Sequence, residues 1–140
     1  MRVVLDTNVI VSAIFWHSKP HSILELIRSQ QLEGWTSEAL LAELLEVLSR
    51  NKFSSRLAVI GTSPQDIVEG LRALLQVVVV DDVARVVESD PDDDYVIACA
   101  TAAQVDCIIS GDTDLLTLKT HAGIPILSAA EFLEQLPGTP

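Results

Sequence analysis

The chain has 140 residues, 49% of them hydrophobic but few aromatic, and a net charge of −11 from 20 acids against nine Lys and Arg. That length suits one domain whose core is built from Leu, Val, Ile and Ala. No stretch is long and apolar enough to span a bilayer, and so acidic a chain has no broadly basic surface for nonspecific nucleic-acid binding.

Met1-Arg2 leads directly into a strand, which is not the shape of a signal peptide. That strand, Arg2-Val3-Val4-Leu5, ends in Asp6-Thr7-Asn8, and Val9-Ile10-Val11 follow without a turn signal. A continuous apolar run of this kind suits a strand buried on both faces of a parallel sheet. Ligands gather outside the carboxyl ends of such strands, where Asp6 stands. Two readings stay open here: Asp6 and Asn8 cap the next helix, or they belong to a site.

A short helix is expected to about Phe15, broken by Trp16-His17-Ser18-Lys19-Pro20, with Pro20 opening a second helix to about Gln31. Gly34-Trp35-Thr36 reads as a short strand, and Ser37 as the N-cap of a helix over 38–50. Leu40, Leu41, Leu44 and Leu48 form its apolar stripe; Glu43 falls at the border of that stripe and Glu46 further out. Ser63, Pro64 and Asp66 mark the start of a helix ending near Leu75. Val77–Val80 reads as a strand closed by Asp81-Asp82. A helix is expected from Tyr95 to about Ala103, a strand over Asp106–Ser110, a short helix over Leu115–Lys119, a strand over Ile124–Leu127, and a final helix over Ala129–Leu136 capped by Ser128. Alternating strands and helices predict a three-layer α/β/α sandwich around a mainly parallel central sheet. Residues 1–136 form one domain in this reading and 137–140 a short tail. Cys99 and Cys107 fall in a helix and a strand. They read as buried thiols and fit a reducing compartment, the cytoplasm.

The acids carry the chemistry. Seven of the 20 lie between Asp81 and Asp94. A helix dipole and a cap explain two of them, but do not require the mutually repelling run Asp92-Asp93-Asp94, which reads either as a solvated charged turn or as part of a site. Asp112 follows Ser110-Gly111 at the end of a second buried strand, at the same edge as Asp6 if the two strands are parallel. The helix start bearing Asp93 and Asp94 can face that edge, and Glu43 can complete the cluster. Carboxylates gathered in a partly buried place need cations, and oxygen-only ligands suit Mg²⁺ or Mn²⁺.

Asp6-Thr7-Asn8, Glu43 within SEALLAELLEVLSR, Asp94 within DDDYVIACA and Asp112 within ISGDTDLL together resemble the PIN (PilT N-terminus) domain, over nearly the whole chain. The resemblance is greatest to PIN proteins described as toxins of bacterial toxin–antitoxin pairs. It implies a Mg²⁺- or Mn²⁺-dependent ribonuclease that cuts single-stranded RNA, often as a homodimer, and is inhibited by an antitoxin protein. By position it implies an acidic quartet of Asp6, Glu43, Asp94 and Asp112, with Asp93 competing with Asp94. Asp114 matches the family's second acid in this stretch, and equally reads as a helix cap. Thr7, Asn8 and Ser110 would support carboxylates or waters by hydrogen bonds.

Arg50, Lys52 and Arg56 form the one local basic cluster. They read either as RNA phosphate contacts or as a solvated helix end. His17, His21 and His121 show no metal spacing and read as surface residues. Neither Ser12 nor Ser110 has a nearby His, so no hydrolase triad is supported, and there is no phosphate-binding glycine loop. A response-regulator receiver would need a Lys where Ser128 ends its strand. A haloacid-dehalogenase-type phosphatase would need an Asp where Asn8 stands. A non-catalytic PIN-fold binding module remains a third reading. The hydrophobic fraction also leads us to expect uncovered apolar surface and a symmetric dimer.

Overall fold

Val3 and Leu5 enter one hydrophobic cluster and Val4 another, as the two-residue period of a strand dictates. This strand, β1 (Arg2–Leu5), lies inside a sheet covered on both faces. The computed structural model describes residues 1–80 and 91–136, with side chains in the second stretch from Asp94 onward. The expected acids Asp81, Asp82 and Asp92, the side chain of Asp93, and the tail over 137–140 lie outside the described residues.

The other strands are β2 (Glu33–Thr36), β3 (Gln76–Val77), β4 (Cys107–Ile109), β5 (Thr120–His121) and β6 (Ile124–Leu127), in the spatial order β3-β2-β1-β4-β6-β5. All neighbours pair in parallel except β5 and β6. This is a mainly parallel sheet, and its order differs from the receiver-type 2-1-3-4-5.

The helices are α1 (Thr7–Phe15), α2 (Lys19–Arg28), α3 (Glu38–Leu48), α4 (Ser54–Ile60), α5 (Pro64–Leu74), α6 (Pro91–Ala103), α7 (Thr113–Leu118) and α8 (Ala129–Gln135). Core residues of α1, α2, α3, α5 and α8 join Val3, Leu5, Cys107 and Ile109 on one face. Those of α6 and α7 join Val4, Ile108 and Ile126 on the other, so the expected three layers are present. Both cysteines are buried free thiols, and burial pushes each up to about 12.

Several boundaries differ from the sequence expectation, each for a local reason. The helix expected to reach Gln31 stops at Arg28, because Gln30 turns left-handed at φ 64° and the Gln31 and Leu32 amides bond back to the Leu26 carbonyl. The helix expected to reach Arg50 stops at Leu48, with Ser49 Oγ on the Leu45 carbonyl. A 3₁₀ turn over Asn51–Phe53 and α4 were not expected. They bury only Phe53 and Leu57, and α4 has no side-chain cap to announce it. Of the expected strand Val77–Val80 only Val77 is paired, because its neighbour β2 ends at Thr36; the Val78 amide takes the Thr36 carbonyl and Val79 is exposed. The helix expected from Tyr95 begins at Pro91, a residue suited to the first helical turn. The strand expected over Asp106–Ser110 is paired only over Cys107–Ile109, and the helix expected from Leu115 already begins at Thr113. Strand β5 was not expected; Ala122 and Gly123 join it to β6, both at positive φ, the geometry of a two-residue type I′ hairpin.

Two glycines test the packing. A Cβ on Gly34 would sit 2.5 Å from Leu75 Cδ2 and 2.9 Å from Ile27 Cδ1, whereas one on Gly70, within α5, would meet nothing within 4 Å. Gly34→Ala is therefore expected to destabilise by about 1–3 kcal/mol through overpacking. Gly70→Ala is expected to stabilise by about 0.4–1 kcal/mol by restricting the unfolded chain. Urea unfolding of both variants beside the parent checks the opposite signs.

Candidate active site

Parallel strands β1 and β4 are neighbours in the sheet but far apart in the chain, because the connections after β1 run outward through β2 and β3 before the chain returns on the other side. That reversal of direction opens a crevice beyond the carboxyl ends of the two strands, the usual ligand position in an open α/β sheet. The register Leu5↔Ile109 sets the residues that follow each strand side by side: Asp6 after β1, Ser110 after β4. The Asp6 amide bonds the Ile109 carbonyl at 3.1 Å, and the Ser110 amide the Leu127 carbonyl of β6 at 2.9 Å.

Asp6 is only 5% exposed. Its Oδ1 accepts the Val9 amide at 2.9 Å, capping α1, and its Oδ2 accepts the Ser110 hydroxyl. Ser110 Oγ also accepts the Asp112 amide at 2.9 Å. One buried hydroxyl therefore ties the first acid to the loop that carries the second. Burial holds the Asp6 carboxyl above its ordinary value. The hydrogen bonds from Ser110, Val9 and the Gly111 amide oppose this, and the negative charge of Asp112 adds to it. The last contribution places Asp6 and Asp112 in each other's field. Asp112 is half-buried and caps α7, its Oδ1 accepting the amides of Asp114 at 2.8 Å and Leu115 at 3.3 Å. The capping and site readings of these acids are thus compatible: each uses one oxygen on its helix and keeps another for a different partner.

Helix α6 leads into β4, so its first turn lies at the same carboxyl edge, and Asp94 in that turn is 1% exposed. Glu43 is half-buried on α3, one and a half turns in from the edge where Ser37 caps the helix, and Glu46 is exposed, as the stripe predicted. Thr7 is buried in the first turn of α1; Asn8 and Asp114 are exposed. Among the described residues, no three His, Cys, Asp or Glu side chains close on one point tightly enough to hold an ion together. Mg²⁺ is usually bound through one or two carboxylates with its waters retained, and the Asp6–Asp112 pair fits that chemistry: oxygen-only donors, one buried, whose mutual repulsion a cation relieves.

The basic cluster lies elsewhere. Arg50 is paired with Glu46, Lys52 lies over the Phe53 ring, and Arg56 lies over Trp16, at the opposite end of α1 from Asp6. His17 is exposed, as expected, but His21 is half-buried with Nδ1 3.0 Å from the Ala13 carbonyl oxygen. One feature of the edge escaped the sequence reading: a cleft of about 270 Å³ between the start of α3, Val77–Val80 and Tyr95. The unbroken valine run, without a polar alternate, is its only trace in the sequence.

A family model described as PIN domain matches residues 2–114, a stretch that runs from β1 through Asp114. A search of curated proteins finds no match to the chain. Among solved structures, one similar fold is described as VapBC2 from Rickettsia felis bound to a DNA fragment from their promoter. It has 16% identity and a TM-score of 0.59, over 90% of this chain and 97% of that one. Another is FitAcB from Neisseria gonorrhoeae, with 17% identity and a TM-score of 0.51, over 91% of this chain and 98% of that one.

The raised Asp6 carboxyl sets a sign for stability. An acid whose folded value lies above its unfolded value, about 4, costs stability progressively as pH rises from that value through the folded one. In EDTA the parent is expected to melt lower near pH 8 than near pH 5, and Asp6→Asn, which retains a capping oxygen, to show a flatter profile. Thermal melts of both proteins across this range check it.

Proposed function

Because the chain belongs to the PIN domain family, we propose that it is a nuclease toxin: a Mg²⁺- or Mn²⁺-dependent endoribonuclease that cuts single-stranded RNA and is restrained by an antitoxin protein. The observation that carries this reading is the buried Asp6, joined through Ser110 to the Asp112 loop at the crevice between β1 and β4.

Asp6 and Asp112 are the ligand core in this proposal. Asp94 and Glu43 complete the quartet, with Asp93 the alternative to Asp94 and Asp114 flanking it. A bound divalent ion supplies activated water and stabilises charge developing on a phosphoryl group. The protein's own part is to hold the carboxylates still. Ser110 and the Val9 and Gly111 amides fix both oxygens of Asp6, and the α7 amides fix Oδ1 of Asp112. In this proposal Thr7 and Asn8, at the start of α1, would support carboxylates or waters by hydrogen bonds. The antitoxin reading is supported by the toxin–antitoxin character of the similar structures and by an apolar groove of about 510 Å³ between α1, α2 and α5, lined by Ile14, Leu24, Ile67 and Leu71. A second copy of the chain competes for exposed apolar residues such as Val59 and Ile60. Buried free thiols support a cytoplasmic setting.

Cleavage of labelled single-stranded RNA with and without Mn²⁺ tests this reading. Cleavage is expected only with metal, and Asp6→Asn or Asp112→Asn should abolish it. Ser110→Ala, which removes a carboxylate's orienting partner, should lose about 10–100-fold in metal affinity or activity. Mn²⁺ at about 100 times its dissociation constant should add roughly 2.7 kcal/mol to the parent's stability, raising its melting temperature by about 5–10 °C, and much less in Asp6→Asn. Equal Mn²⁺ shifts in the two proteins would leave Asp6 a cap and nothing more.

A further inference from the structure

Residues 7–24 and 47–65 contain none of the chain's 20 acids, yet hold four of its nine Lys and Arg and two of its three His. The fold packs these two acid-free stretches against each other. Phe15 stacks flat on Phe53 with ring centroids 5.2 Å apart, Phe15 also meets the edge of Trp16, and the Arg56 guanidinium lies 4.6 Å from the centre of the Trp16 ring. Trp16 is 43% exposed, in a protein that buries most of its large apolar side chains. Lys52, over the Phe53 ring, is exposed beside it, as are His17 and Lys19. Glu46 and Glu25 border these stretches, paired with Arg50 and near His21; between them two acid-free segments bring together an exposed indole and a layered guanidinium.

We propose that this Trp16–Arg56 face is a docking platform for single-stranded RNA, separate from the carboxylate edge. It rests on the reading of the protein as a ribonuclease and adds a second contact for the same substrate. The chemistry is that of single-strand binding: a base stacks on the Trp16 face away from Arg56 or on the outer side of the guanidinium layered over the ring, and Lys52 and Lys19 neutralise neighbouring phosphates. Geometry links the two places. Trp16 directly follows α1, whose first residue directly follows Asp6. At the usual rise per residue, the nine residues of α1 set the platform about 13 Å from the carboxylate edge. A strand held at Trp16 can run along the domain to Asp6, which makes the platform a length gauge. RNA too short to touch both ends is held only at the site.

The test is binding of a fluorescein-labelled single-stranded RNA of about 12 nucleotides, a span such surfaces cover, to the full chain in EDTA, where cleavage is off. Anisotropy and tryptophan fluorescence are followed over a salt series. Binding should quench the exposed indole. Trp16→Ala should weaken binding about 10-fold or more, and Trp16→Phe should keep most of the affinity. Arg56→Ala, an exposed change that leaves the core intact, should weaken binding and lower the salt slope by about one. The same proteins are then assayed for cleavage with Mn²⁺. If Trp16→Ala and Arg56→Ala bind RNA as the parent does while the parent cleaves it, the platform is wrong and the nuclease reading stands. If the parent neither binds nor cleaves single-stranded RNA, both fall. If Trp16→Ala turns a dimer into a monomer in light scattering and leaves RNA affinity unchanged, the face is a contact between copies and the proposal is overturned.

Discussion

The Ser110 hydroxyl stands between two carboxylates that the chain separates by more than a hundred residues. It donates to Asp6 and accepts from the Asp112 amide, so the ends of β1 and β4 hold each other in register at the edge where both acids emerge. Removing water from Asp6 is costly, and the bonds from Ser110, Val9 and Gly111 offset part of that cost. What remains is a carboxyl held above its ordinary value beside a second acid. The cost left over comes chiefly from burial, with the charge of Asp112 adding the smallest part.

The surrounding layers serve that edge. Helices α1 and α7 begin there, each capped by one of the two acids, and α6 presents its first turn to the same side. Helix N-termini carry a partial positive charge and unpaired amides, so they favour carboxylates at the positions where the strand ends put them. The one oxygen given to capping orients the other. Beyond the far end of α1, the acid-free stretches around Trp16 and Phe53 pack against each other.

Local signals were legible in the sequence wherever they were chemically self-contained. Ser37, Ser63 and Ser128 cap α3, α5 and α8 through their own hydroxyls, and each lies directly before an apolar stripe. β1 and β6 lie where the apolar runs lie. Signals that depended on partners were not legible. Val77–Val80 has the composition of a strand but is paired only where β2 offers a neighbour. α4 forms with no cap because Phe53 and Leu57 find the core. The hairpin at Ala122-Gly123 needs two positive φ angles and has glycine at only one of them.

By itself the sequence determined the fold class, because strand and helix patterns are local, and it offered candidate acids: Asp6 and Asp112 as strand ends, with Glu43 and Asp94 or Asp93 joined to them by what the resemblance implied. Tertiary structure alone decided how those acids relate. The parallel register of β1 with β4, which no local pattern encodes, puts Ser110 against Asp6, and the burial of Asp94 follows from α6 packing over the same sheet. The basic cluster makes the same point. Arg50, Lys52 and Arg56 were visible as a run of charge. Only the packing of residues 47–65 against α1 set Arg56 on Trp16, at the end of the domain away from the carboxylates, because α1 runs its full length between them.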